Sequence, residues 1–168
     1  RYRMKDILRF VQDTGTGIST AQNAGRQRGR GFEVELVWDV DSKLRLSGNL
    51  AQQQSVDEAT NQDSGSAPRH HLYARADWRF TPTWTLDTQL NYVADRKREP
   101  GDARPPVADY HTVDVTLRSK QFENWDVACK VANLFDADAR EPSPSPGLIP
   151  NDLPLAPREF RVELNRQF

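Results

Sequence analysis

Strict alternation of apolar and polar residues recurs along most of this chain, and it constrains the fold more than any other feature. Successive side chains of a strand point to opposite faces, so a period of two writes a sheet with one apolar and one polar face. GFEVELVWDV sets Phe32, Val34, Leu36, Trp38 and Val40 against Glu33, Glu35 and Asp39. KLRLSGNLAQ sets Leu44, Leu46 and Leu50 against Arg45, Ser47 and Asn49. HLYARADWRF opposes Leu72, Ala74, Ala76, Trp78 and Phe80 to Tyr73, Arg75, Asp77 and Arg79, and WTLDTQLNYV opposes Trp84, Leu86, Leu90 and Tyr92 to Asp87, Gln89 and Asn91. HTVDVTLR, WDVACKV and EFRVELNRQF continue the pattern, and a weaker segment, RYRMKDILRFV, opens the chain. These segments predict about eight strands, antiparallel because several joins are too short for a crossover.

The connections alternate in length. Residues 41–43, 81–83 and 120–124 are tight turns, whereas 13–30, 55–69, 95–109 and 137–158 are long and polar. Short turns at one end and long loops at the other describe a transmembrane β-barrel, with periplasmic turns and extracellular loops. Trp38, Trp78, Trp84 and Trp125 all fall near the short-turn ends of their strands, as an interfacial aromatic girdle requires. Phe32, Tyr92, Tyr110 and Phe160 are expected to form a second girdle at the other rim.

Composition narrows the classes. No run approaches the roughly 20 apolar residues of a membrane-spanning helix, but a β-span of about 9 to 11 residues needs only every second one apolar. A mean hydropathy of −0.79 is therefore compatible with a membrane barrel. With 28% charged residues and a net charge of −1 there is no basic excess for a nucleic-acid backbone. The single cysteine, Cys129, cannot form an internal disulfide. The 168 residues are expected to form one domain, 1–168; beginning at Arg1 with no signal peptide, the chain is expected to be a processed or truncated product. Period two does not say which solvent the apolar face meets, so a soluble β-barrel or sandwich binding module remains the alternative.

At the C-terminal end the residues become specific. Asn133, Leu134, Phe135 and Asp136 end one strand, a Pro-rich loop follows, and EFRVELNRQF closes on Phe168. This order resembles the end of TonB-dependent receptors. The upstream run QNAGRQRGRGFEVEL is similar to the family's Asn-x-Gly stretch leading into a strand, and YRMKDIL is similar to the strand before it. Two positions depart from the family pattern: Ala156-Pro157-Arg158 stands where Pro-Gly-Arg is usual, and Arg166 stands where an aromatic is common.

The resemblance implies an all-β, up-and-down transmembrane segment, about the last eight strands of a 22-stranded barrel. The implied activity is energy-coupled uptake of an iron siderophore, haem, a cobalamin or a carbohydrate across the outer membrane of a Gram-negative bacterium. The implied partners are the membrane, a small-molecule ligand, the barrel-assembly machinery, and the plug domain and TonB complex, the last two through a missing N-terminal part. Arg75, Asp77, Arg79, Asp87, Asn91, Arg161 and Glu163 are the candidates for lumen and plug contacts. Arg28, Arg30, His70, His71 and His111 are candidates for extracellular ligand contact, and Phe160, Val162, Leu164 and Phe168 for the assembly signal. A stand-alone eight-stranded barrel is the further alternative; it requires pairing between the strands near Met4 and Val162.

Other chemistry finds little support. His70 and His71 are adjacent and point to opposite faces of a strand, so no metal site is expected. The serines cluster in loops without a Gly-x-Ser-x-Gly elbow, so no catalysis is expected, and no cofactor. The glycine runs GTGIST and AGRQRGRG neither follow a strand nor open a helix, so they read as loop rather than phosphate cradle. The cluster Arg26, Arg28 and Arg30 reads most simply as solvated loop, with anionic lipopolysaccharide or an anionic ligand as the other reading. The Ser-Pro-Ser-Pro run reads as a stiff loop segment.

Overall fold

A computed structural model describes residues 1–13, 15–65, 67–100, 102–143, 149 and 151–166. Phe168 and most of the Ser-Pro-Ser-Pro run lie outside them. The chain forms β1 (Tyr2–Gln12), β2 (Ser19–Asp39), β3 (Leu44–Asp57), β4 (His70–Trp78), β5 (Trp84–Ala94), β6 (Tyr110–Ser119), β7 (Trp125–Ala132), β8 (Arg140–Glu141), β9 (Leu153–Pro154) and β10 (Glu159–Arg166). Eight of these make one antiparallel meander in the order β1-β2-β3-β4-β5-β6-β7-β10, and β8 pairs with β9 inside the last loop.

The tight turns are closed by short side chains that imitate a backbone turn. The Asp41 carboxylate accepts from the Lys43 and Leu44 amides at 2.6 and 2.9 Å, and the Thr81 hydroxyl accepts from the Trp84 amide at 3.0 Å. With the turns set, register follows, and it keeps each face uniform across the sheet. One row runs Val34, Leu50, Leu72, Tyr92, His111, and the next Leu36, Gly48, Ala74, Leu90, Val113. On the opposite face run Asp39, Arg45, Asp77, Asp87, Thr116, Lys130 and Arg161. A slip of one residue in any strand would put charges among the aliphatics, so the alternation itself specifies the pairing.

The apolar face is not a core. Val93, Ala94, Val107, Ala128 and Ala139 are the buried apolar residues among those described, while Val34 and Leu36 are 55% and 60% exposed. A soluble sandwich would have turned that face inward against a second sheet. Nor does the sheet close on itself. Met4 pairs with Gln27 and Val162 with Cys129, and β1 and β10 stand at opposite ends of the strand order. The closed eight-stranded alternative is thereby overturned.

Two further expectations are corrected. Residues 13–30 are not a loop: β1 and β2 stay paired up to Gln12 and Ser19, and only a turn at 13–18 joins them, with Asp13 accepting from the Gly15 and Thr16 amides and Gly17 at φ 71°. On β2 that hairpin carries Thr20, Gln22 and Asn23 with no apolar row, so alternation disappears from the sequence there, while β1 opposite exposes Leu8 and Phe10. Tyr110 does not join the second aromatic girdle: it pairs with Val93 on the polar face, and its hydroxyl donates to Glu141 at 2.9 Å. Phe32, Tyr92 and Phe160 do lie on the apolar face, and Trp38, Trp78, Trp84 and Trp125 occupy its short-turn rim.

Candidate functional site

The polar face carries a ladder of opposite charges that links strand to strand. Arg45 grips Asp39 through two bonds, at 2.6 and 3.1 Å, and stands opposite Asp77. Arg75 lies between Asp77, at 3.7 Å, and Asp87, to which it donates directly; Gln89 donates to the other Asp87 oxygen at 2.7 Å. Beyond these, Arg118 donates to Asp126 at 2.9 Å and lies 4.0 Å from Glu163, and Lys130 pairs with Asp114 at 3.0 Å. Asp77 and Asp87 face each other across β4 and β5, and Arg75 between them offsets their like charges, so the surface is hydrated yet locally balanced. The Asn49 side-chain oxygen, between Glu35 and Tyr73 on this face, is buried without a hydrogen-bond partner among the described residues, an acceptor open to whatever packs there.

The long loops are tied to one another, not left as separate tails. Arg98 donates to both oxygens of Asp152 at 2.6 and 2.7 Å and to the Pro105 carbonyl at 2.7 Å. Arg104 bonds Asp102 at 2.6 Å and reaches the Ser143 hydroxyl and carbonyl, both at 2.7 Å. Arg96 meets Glu141 at 2.8 Å, and Arg69 bridges Asp63 and Asp95 at 3.0 and 3.2 Å. Gly65, at φ 67°, lets its loop lie against the backbone of Arg98 and Glu99, where a Cβ would approach to 2.6 Å. Loops 58–69, 95–109 and 137–158 are thus clasped into one body.

Charge pairing sets the pH range of that clasp. The Arg104 guanidinium holds the Asp102 carboxyl down at about 2, and Arg98 lowers Asp152 in the same direction. A carboxylate depressed in the folded state contributes stability above its ordinary value near 3.8, and that contribution is lost as pH falls through the folded value. Protection of the 95–109 and 137–158 loops, probed with an acid-active protease at low pH and with a neutral protease at pH 7, is therefore expected to persist at pH 4 and to fail towards pH 2. In Arg98→Ala it should already be weak at pH 7. Equal cleavage of both proteins at pH 7 would refute the clasp.

Of the lumen candidates, Arg75, Asp77 and Asp87 come together as one triad. Asn91 lies farther up β5, its Oδ1 accepting from His71 Nε2 at 2.7 Å. Arg79 leaves the strand at the turn and lines a polar cleft of about 560 Å³ with Arg75, Asp87, Arg118 and Lys120. Arg161 lies 3.5 Å from Glu159 on its own strand. Of the extracellular candidates only His71 shares the polar face; Arg28, Arg30, His70 and His111 fall on the face of Phe32 and Tyr92. Phe160, Val162 and Leu164 line β10 on the apolar face, and at its end Arg166 lies over the Trp125 ring at 5.6 Å, which lets an arginine occupy an aromatic rim. Sequence reasoning missed the loop arginines, because Arg98 and Asp152 are 54 residues apart and nothing local marks them as partners.

The Asn133–Asp136 motif works as a bracket. The Asn133 side chain donates to the carbonyls of Ala137 and Ala156 and accepts from the Ala137 amide, at 2.9, 3.3 and 2.9 Å. Asp136 accepts from the Arg158 amide at 3.0 Å. Both ends of the last loop are held by one short motif. The substituted Ala156-Pro157-Arg158 keeps this bracket, since it acts through backbone atoms.

An open, two-faced antiparallel meander with an exposed apolar face, a balanced ionic face and clasped loops at one end is a segment of a large outer-membrane-type barrel. The chain belongs to the TonB-dependent receptor-like β-barrel family, whose model matches residues 1–134. It is 27% identical over 127 residues to the metal-pseudopaline receptor CntO of Pseudomonas aeruginosa, covering 68% of this chain and 18% of that protein. The ferric-catecholate import receptor Fiu of E. coli K12 superposes with a TM-score of 0.75 at 19% identity, over 99% of this chain and 24% of Fiu. The ferripyoverdine receptor of the outer membrane of P. aeruginosa gives 0.73 at 13% identity, over 99% of this chain and 24% of its own. The copper transporter OprC gives 0.73 at 16%, over 99% of this chain and 27% of that one. The chain thus spans about a fifth to a quarter of the proteins it matches, and these are transport receptors.

Proposed function

We propose that residues 1–168 are a barrel segment of an outer-membrane receptor in a Gram-negative bacterium that takes up a chelated metal ion with energy from TonB. The observation that carries this is the division of one continuous sheet into an exposed apolar face and an ion-paired polar face. The apolar face meets lipid, the polar face encloses the lumen, and the clasped loops stand outside the cell. Relatives that bind metal-pseudopaline and import ferric catecholates favour a metal chelate over a cobalamin or a carbohydrate.

In this arrangement Arg75, Asp77, Asp87 and Glu163 meet the plug domain, which lies with the TonB-contacting segment elsewhere in the parent protein. Phe160, Val162, Leu164 and Phe168 present the strand that the barrel-assembly machinery recognises. The test is growth under metal starvation. A strain lacking the parent receptor should fail to grow on one or more of a panel of ferric, zinc, nickel and copper chelates, and the intact gene should restore it. Unaltered growth and metal accumulation on every chelate would exclude metal uptake.

A further inference from the structure

We propose that the outer face of β2 and β3, at the upper edge of the apolar band, binds the phosphorylated sugar headgroup of an outer-leaflet glycolipid through Arg28 and Arg30. This rests on the membrane orientation proposed above and goes beyond it to a lipid site. Arg28 and Arg30 share the parity of Phe32, Val34 and Leu36, so they continue the lipid-facing row upward instead of entering the lumen. At about 3.4 Å per residue and a tilt near 40°, Arg30 lies about 21 Å and Arg28 about 26 Å above the Trp38 rim along the membrane normal. The apolar band of such barrels is about 25 Å tall, so Arg28 stands at its upper edge and Arg30 about 4 Å below it, from where a long arginine side chain extends upward to the headgroups.

The surroundings are built for an anion and a sugar. Two clefts, of about 580 and 450 Å³, meet along Arg1, Arg30 and Gln54; the first also has Arg28, Val56 and Asn61, the second Phe32, Gln52 and His70. Arg28 donates to the Asn61 amide oxygen at 2.8 Å and Arg30 to that of Gln54 at 3.1 Å, neutral acceptors that leave both guanidinium groups without a direct carboxylate bond, while the charge of Arg28 is felt by Glu58. The contrast with Arg69, Arg96, Arg98 and Arg104 is direct, since each of those is tied to a carboxylate. Two acids lie near. Glu58 is taken by Arg3 at 2.9 Å, and Asp95, which lines the second cleft, is taken by Lys97 at 2.5 Å and Arg69 at 3.2 Å. A planar guanidinium pairs with phosphate through two parallel bonds, and the Gln52, Gln54 and Asn61 amides can reach sugar hydroxyls.

The full receptor, delipidated in detergent, would be titrated with bisphosphorylated lipid A, with dephosphorylated lipid A and with inorganic phosphate, read by native mass spectrometry. Bisphosphorylated lipid A should bind about tenfold more tightly than the dephosphorylated form, a difference of about 1.4 kcal/mol. Arg28→Ala with Arg30→Ala should erase that preference. Arg28→Lys with Arg30→Lys, which keeps the charge but loses the two-bond fork, should bind more weakly than wild type and still retain part of the preference. Equal binding of the two lipids, an unaffected alanine pair, a lysine pair as impaired as the alanine pair, or full competition by inorganic phosphate would each overturn the site. Quenching of Trp38 and Trp78 by brominated lipid in vesicles separates the two failures: quenching without lipid A preference sinks this site alone, and no quenching sinks the membrane orientation.

Discussion

Leu90→Arg is expected to destabilise the folded barrel by about 2–4 kcal/mol, the loss for an arginine at the lipid-facing midplane of a membrane barrel. Leu90 sits midway along β5, in the row Gly48, Ala74, Leu90, Val113, with aliphatic or small neighbours on both flanking strands. There a guanidinium finds neither water nor a carboxylate. One residue away the same change should be nearly silent: Gln89 faces Arg75 and Asp114, so Gln89→Arg enters a hydrated, charge-balanced row and should cost less than about 1 kcal/mol. Equilibrium unfolding of the full receptor in lipid vesicles would measure both. Equal effects of the two substitutions would mean that the sheet does not divide lipid from lumen. Arg166 marks the other end of this depth scale. It lies on the apolar face at the rim, over Trp125, where the loss for a charge falls to about 0–1 kcal/mol.

Asn133→Ala is expected to cost about 3 kcal/mol and to open the last loop. The residue is 4% exposed, holds φ at 47°, and satisfies the Ala137 amide and the Ala137 and Ala156 carbonyls. Removing its side chain leaves the half-buried Ala137 amide without its acceptor, at about 1–3 kcal/mol for an unmet group, and puts alanine in a left-handed conformation that costs about 1–2 kcal/mol. Asn133→Gly relieves only the second part, so it should fall between wild type and alanine. The readouts are loss of heat-modifiable mobility at lower temperature and faster proteolysis within 137–158. Glycine as damaging as alanine would assign the whole effect to hydrogen bonding; neither variant having any effect would remove the bracket.

The central strands were legible because each is half wet and half apolar, and that condition writes its own period. Val113, Val115 and Leu117 against Asp114, Thr116 and Arg118 place β6 without any knowledge of its neighbours. Where the condition lapses the writing stops. The β2 side of the upper β1–β2 hairpin, with Gln22, Arg26 and Arg28, carries no apolar period and reads as a loop although it is paired strand. Tyr110 was misplaced although parity was to hand: Val113, Val115 and Leu117 put the odd residues of β6 on the apolar face, so Tyr110 falls on the polar one, and its register with Val93 agrees.

The candidate site divides along the same line. That Arg75, Asp77 and Asp87 share a face follows from parity, and the turn at 81–83 brings them together, so sequence alone sufficed to group them. The loop clasp had no such route, because Arg98 with Asp152 and Arg104 with Ser143 are joined only through the path of two long loops in space. The facing of Arg28 and Arg30 depended on β2 continuing unbroken past Phe32. Alternation, tight turns and the Asn133–Asp136 motif determined an antiparallel, two-faced barrel segment, since each is a local response of backbone geometry to two solvents. Which distant charges meet, and which way the residues beyond the apolar band point, was decided by tertiary structure alone, because polar residues in water carry no preference strong enough to leave a pattern in the chain.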